Sequence, residues 1–455
     1  STATGNVGIG KSTFAALTSG DYNVGIGYNS LAAATTGSNN VAVGGNAMAA
    51  NTTGAANTAL GDNALITNTT ANSNTALGTS ALKINTTGNT NTSVGATSMR
   101  YNTTGDFNVA VGNSALQSNT TADNNNAVGY YALLTNTTGA SNVAVGDAAL
   151  YANTTASNNT AVGVSSLTAN TTGYDNIAVG KDALKINTTG HDNVSMGNGA
   201  LDANTTGNSN TAIGRIALGA NTTASDNVAV GQSALSLNTT GSSNTVVGRS
   251  ALAANTTASY NTAVGGSALA ANTTAQFNCA VGYQALRDNT TGTENTAIGG
   301  YQALIVNTTG SYNTAVGQAA LSANTTGAKN VAVGYGALDA NTTASNNAAV
   351  GYDSLSSNTT GTGNVGLGYA TLTTNTTADN NTALGNRAMQ NNTTGSGNTA
   401  VGHYSLFQNS TGYNNVAVGL NALDAHTTGW NNIAIGPNAL GAATTASANV
   451  AIGNS

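Results

Sequence analysis

Apolar and polar residues alternate along this chain in a unit of 17 residues. Counted from the asparagine of "NTALG" at residues 57–61, the unit reads N-x-A-V-G-x-x-A-L-x-x-N-T-T-G-x-x. The first-position asparagines fall at Asn6, Asn23, Asn40, Asn57, Asn74 and so on to Asn295, resume at Asn313 and end at Asn449, which makes 27 starts. Position 2 is mostly β-branched (Val41, Thr58, Val109, Ile177), position 3 small (Ala42, Ala59, Ser93, Gly366) and position 4 aliphatic (Val43, Leu60, Met196, Ile213). This pattern predicts a short strand whose second and fourth side chains share a face. Position 8 is Ala, Ser or Thr. Position 9 is Leu or Met (Leu65, Leu82, Met99) except for Phe14, so the pair forms a second short buried piece. A helix is excluded by the fixed glycine, the Asn-Thr-Thr of most units and the lack of a 3.6-residue apolar stripe.

Position 5 is glycine throughout, as in Gly44, Gly61 and Gly248. That constancy predicts a positive φ or a backbone approach that no Cβ permits. Position 15 alternates between Gly54 or Gly88 and Ala71 or Ala122, which asks only for smallness. The single break in spacing, "NTAIGGYQAL", sets Gly299 and Gly300 in place of one glycine and reads as a β-bulge.

A fixed period this short, with one β-rich piece per period, predicts an all-β parallel β-solenoid, or β-roll, of about 27 coils. Residues 1–455 form one continuous array with both ends falling inside a unit, as in a slice of a longer protein or a chain continuing end to end in a filament. Stacked at strand spacing, the coils would make a rod of roughly 130 Å. In-register stacking predicts two asparagine ladders, one at position 1 (Asn40, Asn57, Asn74) and one at position 12 (Asn51, Asn68, Asn85, on to Asn409). It also accounts for a charged fraction of only 6%, because a column of like charges repels at every step. Lys185 above Asp202 suits such a stack, whereas Lys83 above Arg100 and Asp106 above Asp123 must point into solvent. A core of a few small apolar side chains per coil is thin against the entropy of ordering 17 residues. Further burial is therefore expected between chains, through the leucine column or the small column at position 3.

A net charge of −6 with ten scattered Lys and Arg leaves no basic footprint for nucleic acid. No apolar run is long enough to insert into a membrane as a helix. The one cysteine, Cys279, cannot form an intramolecular disulfide and reads as a small core thiol.

The segments "NVAVG" at 40–44, "NIAVG" at 176–180 and "NVAIG" at 449–453 resemble the SVAIG-type motif of trimeric autotransporter adhesin heads, the YadA-like left-handed parallel β-roll. The "NTAVGxxALxxNTTG" cadence also resembles repeats of phage tail fibres, and the likeness runs the length of the chain. The head repeat of the adhesins is shorter than this one. The resemblance implies a left-handed homotrimer, extracellular, on a cell surface or on a virion, serving as stalk or adhesive head.

Catalytic chemistry has no constellation to rest on. His191, His403 and His426 lie far apart, the acids are mostly isolated, and "NVGIGKST" at 6–13 lacks the spacing and helix of a phosphate loop. No metal or cofactor is expected, and no enzyme. His426 occupies a position-12 slot and reads as a ladder substitute. Twenty-two Asn-x-Thr sequons lie at position 12, from Asn51 to Asn409, and read as turns whose side chains cap the next coil rather than as glycan acceptors. Tyr335, Tyr352 and Tyr369 share position 6 in successive coils, and Tyr260, Phe277 and Tyr312 share position 17, either as surface spacers or as a binding face for a cell-surface glycan or host surface. The threonines of positions 13 and 14 offer one clean column to ice. The expected function is therefore a structural segment of an extracellular or virion fibre; the alternative is a solenoid that binds glycan or ice through a regular face.

Overall fold

The computed structural model describes residues 2–454. Among them it contains 27 strands, from β1 (Val7–Ile9) to β27 (Val450–Ile452), and no helix. Most strands span positions 2 to 4 alone, and the rest of each coil is turns. The chain is thus an all-β parallel β-solenoid with one strand per coil. It forms two compact units, residues 1–226 with β1 to β13 (Thr211–Ile213) and residues 227–455 with β14 (Val228–Val230) to β27. Within each unit every strand pairs in parallel with its neighbours one coil away, like on like: Val41 on Thr58, Ala42 on Ala59, Val43 on Leu60.

Winding is tight because four positions in most coils take a backbone with positive φ. Position 5 is glycine at φ near 135°, and a Cβ on Gly61 would lie 2.5 Å from the carbonyl oxygen of Gly78 in the next coil. Conformation and space therefore both demand glycine, as expected. Gly54 at position 15 has no left-handed φ, in line with the alternation to alanine. The sequence does not announce that position 9 is left-handed as well: Leu65 and Leu82 sit at φ 51° and 50°. This conformation costs an L-residue about 1–2 kcal/mol, and burying a leucine returns about 1.5–3 kcal/mol. Position 7, often Ser, Asn or Asp, and position 17, often Asn or Asp, are left-handed too, and asparagine and aspartate tolerate that region best.

Positions 1, 3, 8, 9, 12 and 15 face inward, and Asn57, Ala59, Ala64, Leu65, Asn68 and Ala71 are all fully buried. Position 3 lies against positions 8 and 9 across the coil. Where those grow, position 3 shrinks: a Cβ on Gly25 would meet Thr13 at 2.7 Å and Phe14 at 3.1 Å, and one on Gly366 would meet Ser354 at 2.6 Å. A Cβ on Gly8 would likewise meet Phe14 at 3.0 Å, so the unit with phenylalanine at position 9 and the unit after it both have glycine at position 3.

Both asparagine ladders form. Asn40 donates its backbone N–H to Asn23 Oδ1 at 2.9 Å, and its Nδ2 donates to the same oxygen and to the Gly54 carbonyl. At position 12, Asn68 Nδ2 donates to Asn51 Oδ1 at 2.8 Å and to the Ala71 carbonyl. These buried amides thus find their partners within and between coils, as buried polar groups generally do. The threonine of position 13 caps as expected, Thr52 Oγ1 donating to the Thr69 carbonyl at 3.0 Å.

Three expectations are corrected and one is extended. Neither the leucine column nor the position-3 column faces partners, because both fill the chain's own coils. Cys279 is not a core thiol: position 2 turns outward and the residue is half-buried. Lys185 does act favourably on Asp202 one coil on, as expected, and in addition pairs with Asp182 of its own coil at 3.1 Å, because the turn brings positions 7 and 10 together. Asp106 and Asp123 are tolerated not by solvent alone, since Asp123 Oδ1 accepts the backbone N–H of Asp106 at 2.7 Å.

Candidate functional site

With the interior committed to packing, any function lies in the outward columns. Position 4 stands apart among them. Its side chains turn away from the coil, Leu60 being 44% exposed and Val162 36%, yet it is Ile, Val, Leu or Met in all 27 units. Position 2 flanks it on the same face with Val, Thr or Ile in nearly every unit, and neither column holds a charge. In each unit of the fold position 4 makes an unbroken aliphatic row, flanked by the valines and threonines of position 2, and an exposed apolar row of that kind marks a contact surface more often than free solvent. Elsewhere outside the coil only the polar threonines of positions 13 and 14 recur in nearly every unit, and the other columns vary. Position 6, for example, is Gly45, Asp62, Thr79 and Ala96 in successive units.

The aromatic residues do stack. Tyr335, Tyr352 and Tyr369 are about half exposed, with ring centroids 5.1 and 5.6 Å apart and planes 14° and 18° from parallel. The Arg387 guanidinium continues the stack, 5.9 Å from the Tyr369 ring and 5.8 Å from that of Tyr404, and donates from Nη1 to the Tyr404 hydroxyl at 2.9 Å. That hydrogen bond raises the Arg387 pKa. Asp353 raises the Tyr352 phenol. Rings stacked face to face cover one another's faces, so the row presents edges and hydroxyls rather than the open ring on which a sugar stacks. Tyr260 and Phe277 stack likewise at 5.3 Å, and so do Tyr174 with His191 and Tyr413 with Trp430 at position 16.

Position 16 carries a third ladder that the sequence reading missed. Its side-chain oxygen accepts the backbone N–H of position 16 one coil earlier, as Asn72 does from Ala55 and Ser345 from Ala328. The frequent Ser, Asn and Asp of this position were the available signal.

The sequon asparagines are buried, with Nδ2 engaged in the ladder, so the folded coil does not present them to a glycosyl donor. The threonine of position 14 is exposed in coil after coil, as Thr53 and Thr70 show, while that of position 13 is half-buried and tied to the backbone. His426 takes its ladder slot fully buried, with Nδ1 3.3 Å from the Ala443 carbonyl and Nε2 3.5 Å from Asn432 Nδ2. The ladder ends there, and Asn409 Oδ1, which would accept from an asparagine at 426, is left without a partner. The outward Cys279 thiol has its pKa raised by burial, which keeps it protonated and poorly nucleophilic. Burial likewise raises Asp339, whose Oδ1 is buried without a partner. Among the described residues no group of three His, Cys, Asp or Glu side chains could hold a metal. Neither a protein-family model nor a curated protein sequence matches the chain.

Proposed function

We propose that this chain is a structural segment of an extracellular or virion fibre, adhesin-like or tail-fibre-like, whose copies associate laterally through the stripe of positions 2 and 4. Position 4 carries the proposal. An outward position that is aliphatic in every unit answers to something outside the coil, since nothing inside it contacts those side chains closely enough to bury them. A second copy of the chain suits the stripe best. Its surface is uncharged, aliphatic at position 4 and repeated along each unit, and a stripe of the same kind can cover it over a length that a stable interface needs, above about 1,000 Å². The likeness of the "NVAVG" segments to adhesin heads favours three copies around one axis. The fibre needs no catalytic residues and no cofactor, and its work is to be long, stable and resistant, with the stacked aromatic edges available for surface adhesion.

The test is the mass in solution of the full chain and of a triple variant, Val230→Lys, Val247→Lys and Val264→Lys, measured by light scattering. The expected result is three times the 44.3 kDa chain for the wild type and a single chain for the variant. A wild type that stays a single chain at tens of micromolar overturns the proposal.

A further inference from the structure

We propose that the inserted residue at Gly299–Gly300 fixes the axial register in which copies of this chain pack together, an inference that rests on the self-association argued above. The outward stripe repeats nearly the same side chains in every unit. Two copies displaced by one coil, ~4.8 Å, therefore meet almost the same surface. The stripe alone holds them together without saying which coil faces which, and strand pairings specified so weakly slip.

One place breaks this sameness. Strands β17 (Cys279–Tyr283) and β18 (Thr296–Tyr301) run on past position 4. Their register shifts between Val281 and Tyr283, so that Tyr283 pairs with Tyr301. This is the bulge the sequence predicts, and it lies next to the stripe in chain order, separated from Ile298 only by the two glycines. A Cβ on Gly300 would meet nothing within 4 Å, so the extra residue stands free of the coil's interior instead of being absorbed by it. Tyr283 and Tyr301 flank it, half exposed, their rings 6.1 Å apart and nearly parallel. Copies in register set bulge beside bulge. Copies displaced by a coil set it beside a regular unit, which has no space matched to an additional residue and two projecting rings. Among the strand pairs within each unit no other shows such a shift, so one register is singled out from all those the stripe permits.

The test uses the full chain with Cys279→Ser and a spin label on Thr257→Cys, an exposed position-14 site away from the stripe. Distances between labels are measured in the assembled protein, with mass measured in parallel. The wild-type length should give one narrow distance. Deletion of Gly300 should leave the mass unchanged while widening the distribution by one or two coil spacings, ~5–10 Å. Inserting a glycine after Gly351 in the deleted chain should narrow it again, which a merely destabilising deletion would not allow. A deletion that keeps the narrow distance, or a wild type that is already broad, overturns the register role while leaving lateral association intact. A single-chain mass overturns both.

Discussion

Positions 3 and 4 are neighbours in the same strand and equally restricted, but for different reasons. Ala59 is fully buried in a column that holds Ala, Ser or Gly apart from Val246; Leu60, one residue on, looks out of the coil and is 44% exposed. The restriction at position 3 follows from the chain's own packing, since Gly25 and Gly366 appear where the facing side chains leave no room for a Cβ. The restriction at position 4 has no such internal cause. The proposed association assigns that restriction to an external contact, which large exposed apolar patches commonly mark, and leaves a varied column such as position 6 to solvent.

Substitutions on the two faces should separate these causes. The largest effect belongs to the inward backbone contact. Gly61→Ala places a Cβ 2.5 Å from the Gly78 carbonyl oxygen at a φ of 137°, so its coil and the next should unfold locally at a cost above ~3 kcal/mol, read as lost hydrogen-exchange protection over residues 57–90. Leu252→Ala empties a fully buried site and should cost about 2–5 kcal/mol in denaturant unfolding. Asn255→Ala removes a rung and strands its ladder neighbours, for about 1–3 kcal/mol by the same measurement. In the other direction, His426→Asn should supply the missing donor to Asn409 Oδ1 and stabilise the chain by about 1 kcal/mol. Smallest of all, Val264→Ser on the outer face should change the stability of the separated chain by less than about 0.5 kcal/mol. If that substitution instead costs as much as Leu252→Ala in a single chain, position 4 is part of the core and the contrast collapses.

Much of this fold is legible in the sequence because each structural demand falls on one position and recurs in every unit. The glycine of position 5, the asparagines of positions 1 and 12 and the doubled Gly299–Gly300 each correspond to one backbone contact, one ladder or one bulge. Which strand face turns inward is not legible. In a three-residue strand flanked by turns, alternation separates Ala42 from Val41 and Val43, but both sides are apolar, and the larger residues invite the wrong choice of interior. The left-handed leucines were hidden because nothing about leucine signals that conformation, which packing imposes. The pairing of Lys185 with Asp182 was hidden for a related reason. Stacking suggests partners one coil away, whereas the turn folds position 7 against position 10 within a coil. For the candidate surface, the constancy of position 4 was visible, but it acquired meaning only when its side chains proved to lie outside.

The most direct measurement is solvent access at position 4 in the assembled protein. In chains carrying Cys279→Ser, a cysteine at Val230 or Val264 is compared with one at exposed Thr257 for its rate of maleimide labelling. The account predicts at least about ten-fold slower labelling at the two valine sites, with the protection lost when the assembly is dissociated, as for a side chain at the dry centre of an interface. Equal rates at all three sites in the undiluted protein would contradict it.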